Sequence, residues 1–322
     1  MKYTLRNYQK QASDAAVRLF TSKADKNGLV ILPTGAGKSL VIADIASRLE
    51  GPLLVFQPSK EILQQNFAKL QSYGIFDCGC YSASVGCKDI NRITFATIGS
   101  VMNHMSDFDC FKNIIIDECH YVNSKAGQYK QFIEAKNRQV VGLTATPYRL
   151  DRAEGGSILK FLTRVRPRIF SKVIYCCQIG ELLSKGYLSD LHYYDLTELD
   201  LRRVRSNSTG ADYDEKSLLA EYERSGFYDK LSNTVVKVLQ PKSGIPRKGV
   251  LVFTAFTKEA RQLVGKLQSL GVNAAIVTGE TPKKEREAIL EGFKRREIKV
   301  VANVGVLTTG FDYPALDTVV LA

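Results

Sequence analysis

The sequence predicts an α/β fold of two successive units, each a parallel sheet flanked by helices, and three observations predict it. Short apolar runs recur at 29–32, 53–57, 93–96, 113–116 and from 140 onward, each the length of a buried strand and too short for a helix. Amphipathic stretches at helical spacing separate them, and that alternation builds parallel sheets through crossover helices. The alternation lapses after residue 150 and resumes from residue 248, so the 322 residues divide into about two domains with a connection between them.

Composition sets the outer limits. Hydrophobic residues make up 44% and charged residues 24% of the chain, ordinary values for a globular protein with a sizeable core in each domain. The net charge of +12 points to a polyanionic partner. Seven cysteines are an odd number in a chain of this length. They are expected as unpaired thiols in a reducing, cytoplasmic setting rather than as a disulfide framework. Cys78, Cys80 and Cys87 cluster, but the trio lacks a matching fourth metal ligand. No apolar run approaches a membrane span, and the polar stretch Met1 to Gln11 is no signal peptide.

Arg6 to Gln9 opens a helix running through Ala16 and Phe20. Arg6 and Gln9, three apart, share one face, where the Gln9 amide could read the edge of an adenine with Arg6 near the phosphates. Leu29 to Leu32 reads as a buried strand. The turn that follows, Pro33-Thr34-Gly35-Ala36-Gly37-Lys38-Ser39, opens a helix with Val41, Ile45 and Leu49 inward. Gly35 and Gly37 allow a tight turn that presents backbone N–H groups to an anion, and the helix N-terminus adds positive charge there. Lys38 then meets the outer phosphates and Ser39 holds Mg²⁺, which describes a cradle for a nucleoside triphosphate. A strict P-loop pattern wants glycine where this chain has Leu32.

Leu53 to Gln57 is the next strand and Glu61 to Tyr73 the next helix, with Ile62, Leu63, Phe67 and Leu70 apolar. Ile93 to Ala96 is a strand. Ser59, Thr97 and Ser100 fall at strand ends, on the rim where doubly wound sheets bind ligands, and their hydroxyls suit nucleic-acid phosphates or helix capping. Asn113-Ile-Ile-Ile-Asp117-Glu118-Cys-His120 is a buried strand delivering two adjacent carboxylates. Burying such a pair is costly without a counter-charge. Asp117 holding Mg²⁺ supplies one, with Glu118 as the base that deprotonates the attacking water. Val140 to Pro147 is a further strand ending in Thr144 and Thr146. From Arg149 to Lys172, seven basic residues stand against two acids, either a solvated face or a patch tracking a polyanion. Residues 206–210 read as a loop. The second series has strands at 248–256, 274–277, 299–304 and from 319, and helices at 258–270 and 283–295.

Arg6/Gln9, the 33–39 loop, the Asp-Glu-Cys-His box at 117–120 and the Thr-Ala-Thr at 144–146 occur in the order seen in superfamily 2 helicases. The chain resembles the DEAD/DEAH-box group near the restriction-enzyme motor subunits. Within that group, Thr4 to Gln9 and Val306 to Asp312 most resemble the RadD-type DNA repair helicases. The resemblance runs from about Thr4 to the end. It implies two RecA-like domains, residues 1–150 and 231–322, joined by a basic connector over 151–230, with the second domain incomplete. It also implies that Thr254, Thr278 and Thr308 touch the nucleic-acid backbone, that Gly310 and Asp312 approach the nucleotide, and that His120, Thr144 and Thr146 couple the two ligands. The activity implied is ATP-driven movement along nucleic acid, DNA favoured over RNA, with DNA repair as the setting. A double-strand translocase that does not unwind and a nucleotide-gated binding module are the alternatives. The family's closing Gln-x-x-Gly-Arg-x-x-Arg motif does not occur up to Ala322. The expectation is a truncated chain that binds nucleotide and hydrolyses it poorly.

Overall fold

The computed structural model describes the chain except residues 1–3, 23–26, 137, 154–155, 191, 194–199, 208–212, 243, 308–310, 312 and 314. The chain folds into two units, Met1–His192 and Tyr193–Ala322.

In the first unit the elements run α1 (Asn7–Thr21), β1 (Gly28–Ile31), α2 (Lys38–Arg48), β2 (Leu53–Phe56), α3 (Lys60–Ser72), β3 (Cys78–Ser82), β4 (Cys87–Lys88), β5 (Ile93–Ala96), α4 (Ile98–Met102), β6 (Asn113–Ile116), α5 (Gln128–Glu134), β7 (Gln139–Thr144), β8 (Tyr148–Ala153), β9 (Gly156–Phe161), β10 (Lys172–Cys176) and α6 (Ile179–Ser184). Eight strands form one sheet in the order β10-β1-β7-β6-β2-β5-β3-β4. It is parallel apart from β4, which runs antiparallel to β3. Side chains alternate faces along each strand, which is why the strands read as continuous apolar runs. On β2, Leu53 and Val55 pack with α1, α2 and α3, while Leu54 and Phe56 enter an aromatic layer with Phe108, Phe111 and Phe132. Because the strands are parallel, the segments after β1, β2, β5, β6 and β7 leave from one rim of the sheet.

Three departures from the sequence reading have local causes. Residues 151–192, expected in the connector, belong to the first unit: β8 and β9 pair as a hairpin, and β10 pairs with β1, Leu29 opposite Val173. As an edge strand β10 stays half exposed, and its short apolar run Val173-Ile174-Tyr175-Cys176 follows the basic stretch, outside the strand–helix alternation that marks the other strands. Secondly, two helices, α7 (Glu215–Ser225) and α8 (Phe227–Leu239), begin the second unit upstream of residue 231. Thirdly, Cys80 and Cys87 are joined by a disulfide across the β3–β4 hairpin, against the expectation of unpaired thiols; strand pairing brings their Cα atoms to 5.6 Å.

The second unit continues with β11 (Val250–Phe253), α9 (Thr257–Ser269), β12 (Ala274–Val277), α10 (Lys283–Lys294), β13 (Val300–Asn303) and β14 (Thr318–Leu321). Its four strands are all parallel, in the order β12-β13-β11-β14. Val235 and Leu239 of α8 and Leu263 and Leu267 of α9 cover one face, and Phe293 of α10 sits on the other. No described helix is long and apolar enough to cross a membrane.

Candidate nucleotide site and groove

β1 passes into the 33–39 turn, whose Gly35 and Gly37 have φ of +80° and +79°. Gly37 caps α2, and the N–H of Ala36 closes the turn onto the Pro33 carbonyl at 3.1 Å. Glycine is required at 37 twice over: the backbone is left-handed, and a Cβ there would lie 2.6 Å from Gln9 Nε2. The Ala36 carbonyl accepts from Tyr8 Oη and Gln9 Nε2, both at 2.9 Å, while Gln9 Oε1 accepts from the Arg6 N–H at 2.9 Å. The head of α1 therefore grips the backbone of the 33–39 loop. Gln9 is buried beneath the loop, with two of the four hydrogen-bonding positions of its amide committed and two left over.

Lys38 and the paired acids meet, as the spacing predicts. Lys38 Nζ lies 2.9 Å from Glu118 Oε1. Glu118 sits just beyond β6 with φ of +48°, a left-handed position that costs a non-glycine residue about 1–3 kcal/mol and is characteristic of functional sites. Its N–H donates to Asp117 Oδ1 at 3.0 Å. Glu118 Oε2 lies 3.3 Å from His120 Nδ1, and the same nitrogen is 3.0 Å from Thr144 Oγ1. Thr144 Oγ1 accepts from the Thr146 N–H. Glu118, His120, Thr144 and Thr146 thus form one polar chain from β6 to the end of β7.

The two carboxyls are driven apart. Burial, reinforced by the neighbouring Glu118 charge, pushes the Asp117 pKa up to about 6 against the opposing pull of Lys38. Burial acts on Glu118 too, but the His120 contact and Lys38 outweigh it and leave its carboxyl below the usual range. Asp117 is only 4% exposed, and its Oδ2 accepts from Asn66 Nδ2 at 3.2 Å. Asn66 Oδ1 accepts from Ser39 Oγ at 2.7 Å. Ser39 and Asp117 are hard oxygen donors of the kind Mg²⁺ takes. No group of three or more His, Cys, Asp or Glu side chains able to hold a metal occurs among the described residues. A cation here would therefore draw its other ligands from phosphate and water.

Beside the 33–39 loop, the Arg6 guanidinium stacks on the Tyr187 ring, 4.0 Å from its centroid. Helix α6 ends in paired C-terminal hydrogen bonds: Gly186 N–H to the Leu183 carbonyl and Tyr187 N–H to Leu182. With Gly186 at φ +64°, this left-handed cap turns the chain back onto the 33–39 loop, where Leu188 approaches Gly35. Tyr187 and Asn66 escaped the sequence reading. Gly186 after an amphipathic turn was the available signal for the first, and a polar residue in the apolar stripe 63-66-67-70 for the second.

Thr97 and Ser100 line a groove of about 320 Å³ with Gln57, Pro58, Ala83 and Ser84. Thr97 Oγ1 contacts Ser82 Oγ at 3.1 Å and Ser100 Oγ at 3.0 Å, and Ser100 Oγ accepts from the Ala83 N–H. Ser59 is not part of that lining; its hydroxyl caps α3 by accepting from the Ile62 N–H. In the basic stretch Arg149 donates to the Val122 carbonyl, while Arg164, Arg166 and Arg168 are exposed at alternate positions. In the second unit Thr254 is buried beside β13, its N–H donating to the Asn303 carbonyl. Thr278 Oγ1 accepts from the Glu280 N–H and so caps its own turn. Thr308, Gly310 and Asp312 lie outside the described residues.

A glycine-lysine loop at the end of one parallel strand, with an acid pair at the end of another and a second α/β unit to follow, is the arrangement of the P-loop class of proteins. The family described as type III restriction enzyme, res subunit, matches residues 2–149, and the helicase conserved C-terminal domain matches residues 231–322. The chain belongs to the superfamily 2 helicases, with two RecA-like domains. It is 26% identical to a protein of Saccharomyces cerevisiae named putative ATP-dependent helicase IRC3, over 98% of this chain and 46% of that one. It is 25% identical to a protein of Sulfurisphaera tokodaii named DNA 3'-5' translocase XPB2, over 97% and 73% respectively. Dbp5 of S. cerevisiae, solved bound to RNA and ADP BeF3, shares the fold with a TM-score of 0.53 at 18% identity, covering 96% of this chain and 73% of that one. The chain spans about half the length of the first curated relatives it matches.

Proposed function

We propose that this chain binds ATP with Mg²⁺ through Lys38, Ser39 and Asp117, hydrolyses it with Glu118 as base, and couples turnover to movement along DNA. The observation that carries the reading is the 2.9 Å contact between Lys38 and Glu118 beside the buried Asp117, because a lysine and a carboxylate that both serve a triphosphate must converge on one point. Ser39 Oγ and the Asp117 carboxylate would hold the cation, which when bound neutralises charge on the β and γ phosphates. The 33–39 amides and the N-terminus of α2 take up phosphate oxygens.

Without nucleotide, Glu118 is tied to Lys38. An incoming phosphate competes for Lys38, and its departure leaves Glu118 held by His120 alone. The carboxylate is then released to accept a proton from water. The polar chain through His120, Thr144 and Thr146 gives that event a route to the end of β7. Thr97 and Ser100 bind backbone phosphates in the groove, with no base selectivity. The +12 charge supports a polyanionic partner of either kind; the preference for DNA rests on the resemblance to DNA repair helicases and on the names of relatives such as the XPB2 translocase.

ATPase activity measured with and without single- and double-stranded DNA and RNA tests the reading. Stimulation by DNA, lost in Lys38→Ala and Glu118→Gln, supports it. Absence of Mg²⁺-dependent adenine-nucleotide binding by the wild-type chain refutes it. Unchanged DNA stimulation in His120→Ala would remove the coupling role while leaving the hydrolytic one.

A further inference from the structure

Helix α3 packs Leu63 and Leu70 into the core on one face, and the same stripe carries Asn66. A buried amide on an apolar face costs stability unless its polar atoms are paired. At 8% exposure, Asn66 has partners for both ends. Oδ1 accepts the Ser39 hydroxyl at 2.7 Å, and Nδ2 donates to Asp117 Oδ2 at 3.2 Å and to Gln57 Oε1 at 3.1 Å. One side chain therefore touches both groups to which the proposed nucleotide reading gives the cation, and the inference rests on that reading.

The direction of these bonds matters. A hydroxyl oxygen offers a lone pair to a cation only when its proton is directed elsewhere, and Asn66 Oδ1 is the atom that receives it. The Nδ2 bond to one Asp117 oxygen, together with the Glu118 N–H on the other, fixes the plane of the carboxylate. Aspartate at 66 could take the Ser39 proton but could not donate to Asp117. Leucine has the same branched shape and can do neither. We propose that Asn66 is a positioning residue that orients Ser39 and Asp117 for the magnesium–nucleotide complex.

The test uses the full chain and a fluorescent ADP analogue, titrated with excess Mg²⁺ and again in EDTA. The variants are Asn66→Ala and Asn66→Leu, the latter preserving shape so that a folded protein is available even if the truncation unfolds. Supporting residues of metal sites typically change affinity by about 10–100-fold. The expected result is a loss of about 10-fold in magnesium-dependent affinity, with affinity in EDTA changed less than about twofold. In a Ser39→Ala background the Asn66 effect should shrink, since residues acting through one another are not additive. An equal loss with and without Mg²⁺ would assign Asn66 a purely structural role and overturn the proposal, as would an unaltered magnesium dependence in the folded variants. If the wild type itself shows no magnesium-dependent binding, the nucleotide reading falls and this inference with it.

Discussion

Glu118→Gln should bind ATP more tightly than the wild type. The pair it disrupts is short and largely enclosed: 2.9 Å between charged atoms, with side-chain exposures of 13% for Lys38 and 22% for Glu118. Coulomb attraction between unit charges is about 4 kcal/mol at 4 Å for an effective dielectric near 20. Desolvation offsets most of that, and hydrogen bonds to charged groups contribute about 1.5–3 kcal/mol net. A phosphate that takes Lys38 must first break this pair, so part of the pair's energy opposes binding. If about 1.4 kcal/mol of it does, removing the carboxylate raises affinity about tenfold. Fluorescence titration with a non-hydrolysable ATP analogue reads this directly. Neutralising Glu118 also relieves repulsion of the phosphates, and Lys38→Met separates the two effects. The gain from Glu118→Gln should be several-fold smaller in the Lys38→Met background. An equal gain in both backgrounds, or none in either, would refute the competition for Lys38.

Three further outcomes follow from particular contacts. Gly37→Ala places a Cβ 2.6 Å from Gln9 Nε2 at a φ of +79°, so nucleotide binding should fall by about tenfold or more, consistent with strain of about 1–3 kcal/mol, as read by the same titration. Tyr187→Ala removes the ring under Arg6; an exposed cation–π contact is worth about 0.5–1 kcal/mol. ATP affinity should drop about two- to fivefold and selectivity over GTP should narrow, with Tyr187→Phe restoring both. Glu259, fully buried on α9, has its pKa raised by burial, against the opposing pull of the Phe256 and Ala255 N–H groups. Its neutral form is favoured in the folded state, so its stabilising contribution is complete below the unfolded value and is lost as pH rises through the higher folded one. Thermal melts of wild type and Glu259→Gln should therefore diverge as pH rises from about 4.5, with the wild type falling behind; parallel melting curves would refute this.

The parts of the fold that could be read in advance share a cause. β2, β5, β6 and β7 are buried on both faces, so their sequences are predominantly apolar runs. The 33–39 loop needed glycine at its left-handed positions 35 and 37, and the acid pair lies at a strand end. β10 has an apolar run at Val173 to Cys176, but it follows the basic stretch with no amphipathic helix ahead of it, outside the alternation that marks the other strands. The Cys80–Cys87 pairing depends on a two-strand register that no spacing specifies. Ser59 lies at the head of α3, where its hydroxyl accepts from the Ile62 N–H, the capping alternative that the residue type offered.

The sequence alone determined the local groups: a lysine on a glycine turn, two adjacent carboxylates at a strand end and two threonines at the end of β7, each set by short-range constraints of backbone and charge. The tertiary structure decided which side chains hold them. Asn66 lies 27 residues from Ser39 and 51 from Asp117, and Tyr187 reaches Arg6 from the far end of the first unit. Those meetings depend on how α3 rotates against the sheet and how α6 ends, and helix rotation and chain reversal are set by packing over the whole unit rather than by any local stretch.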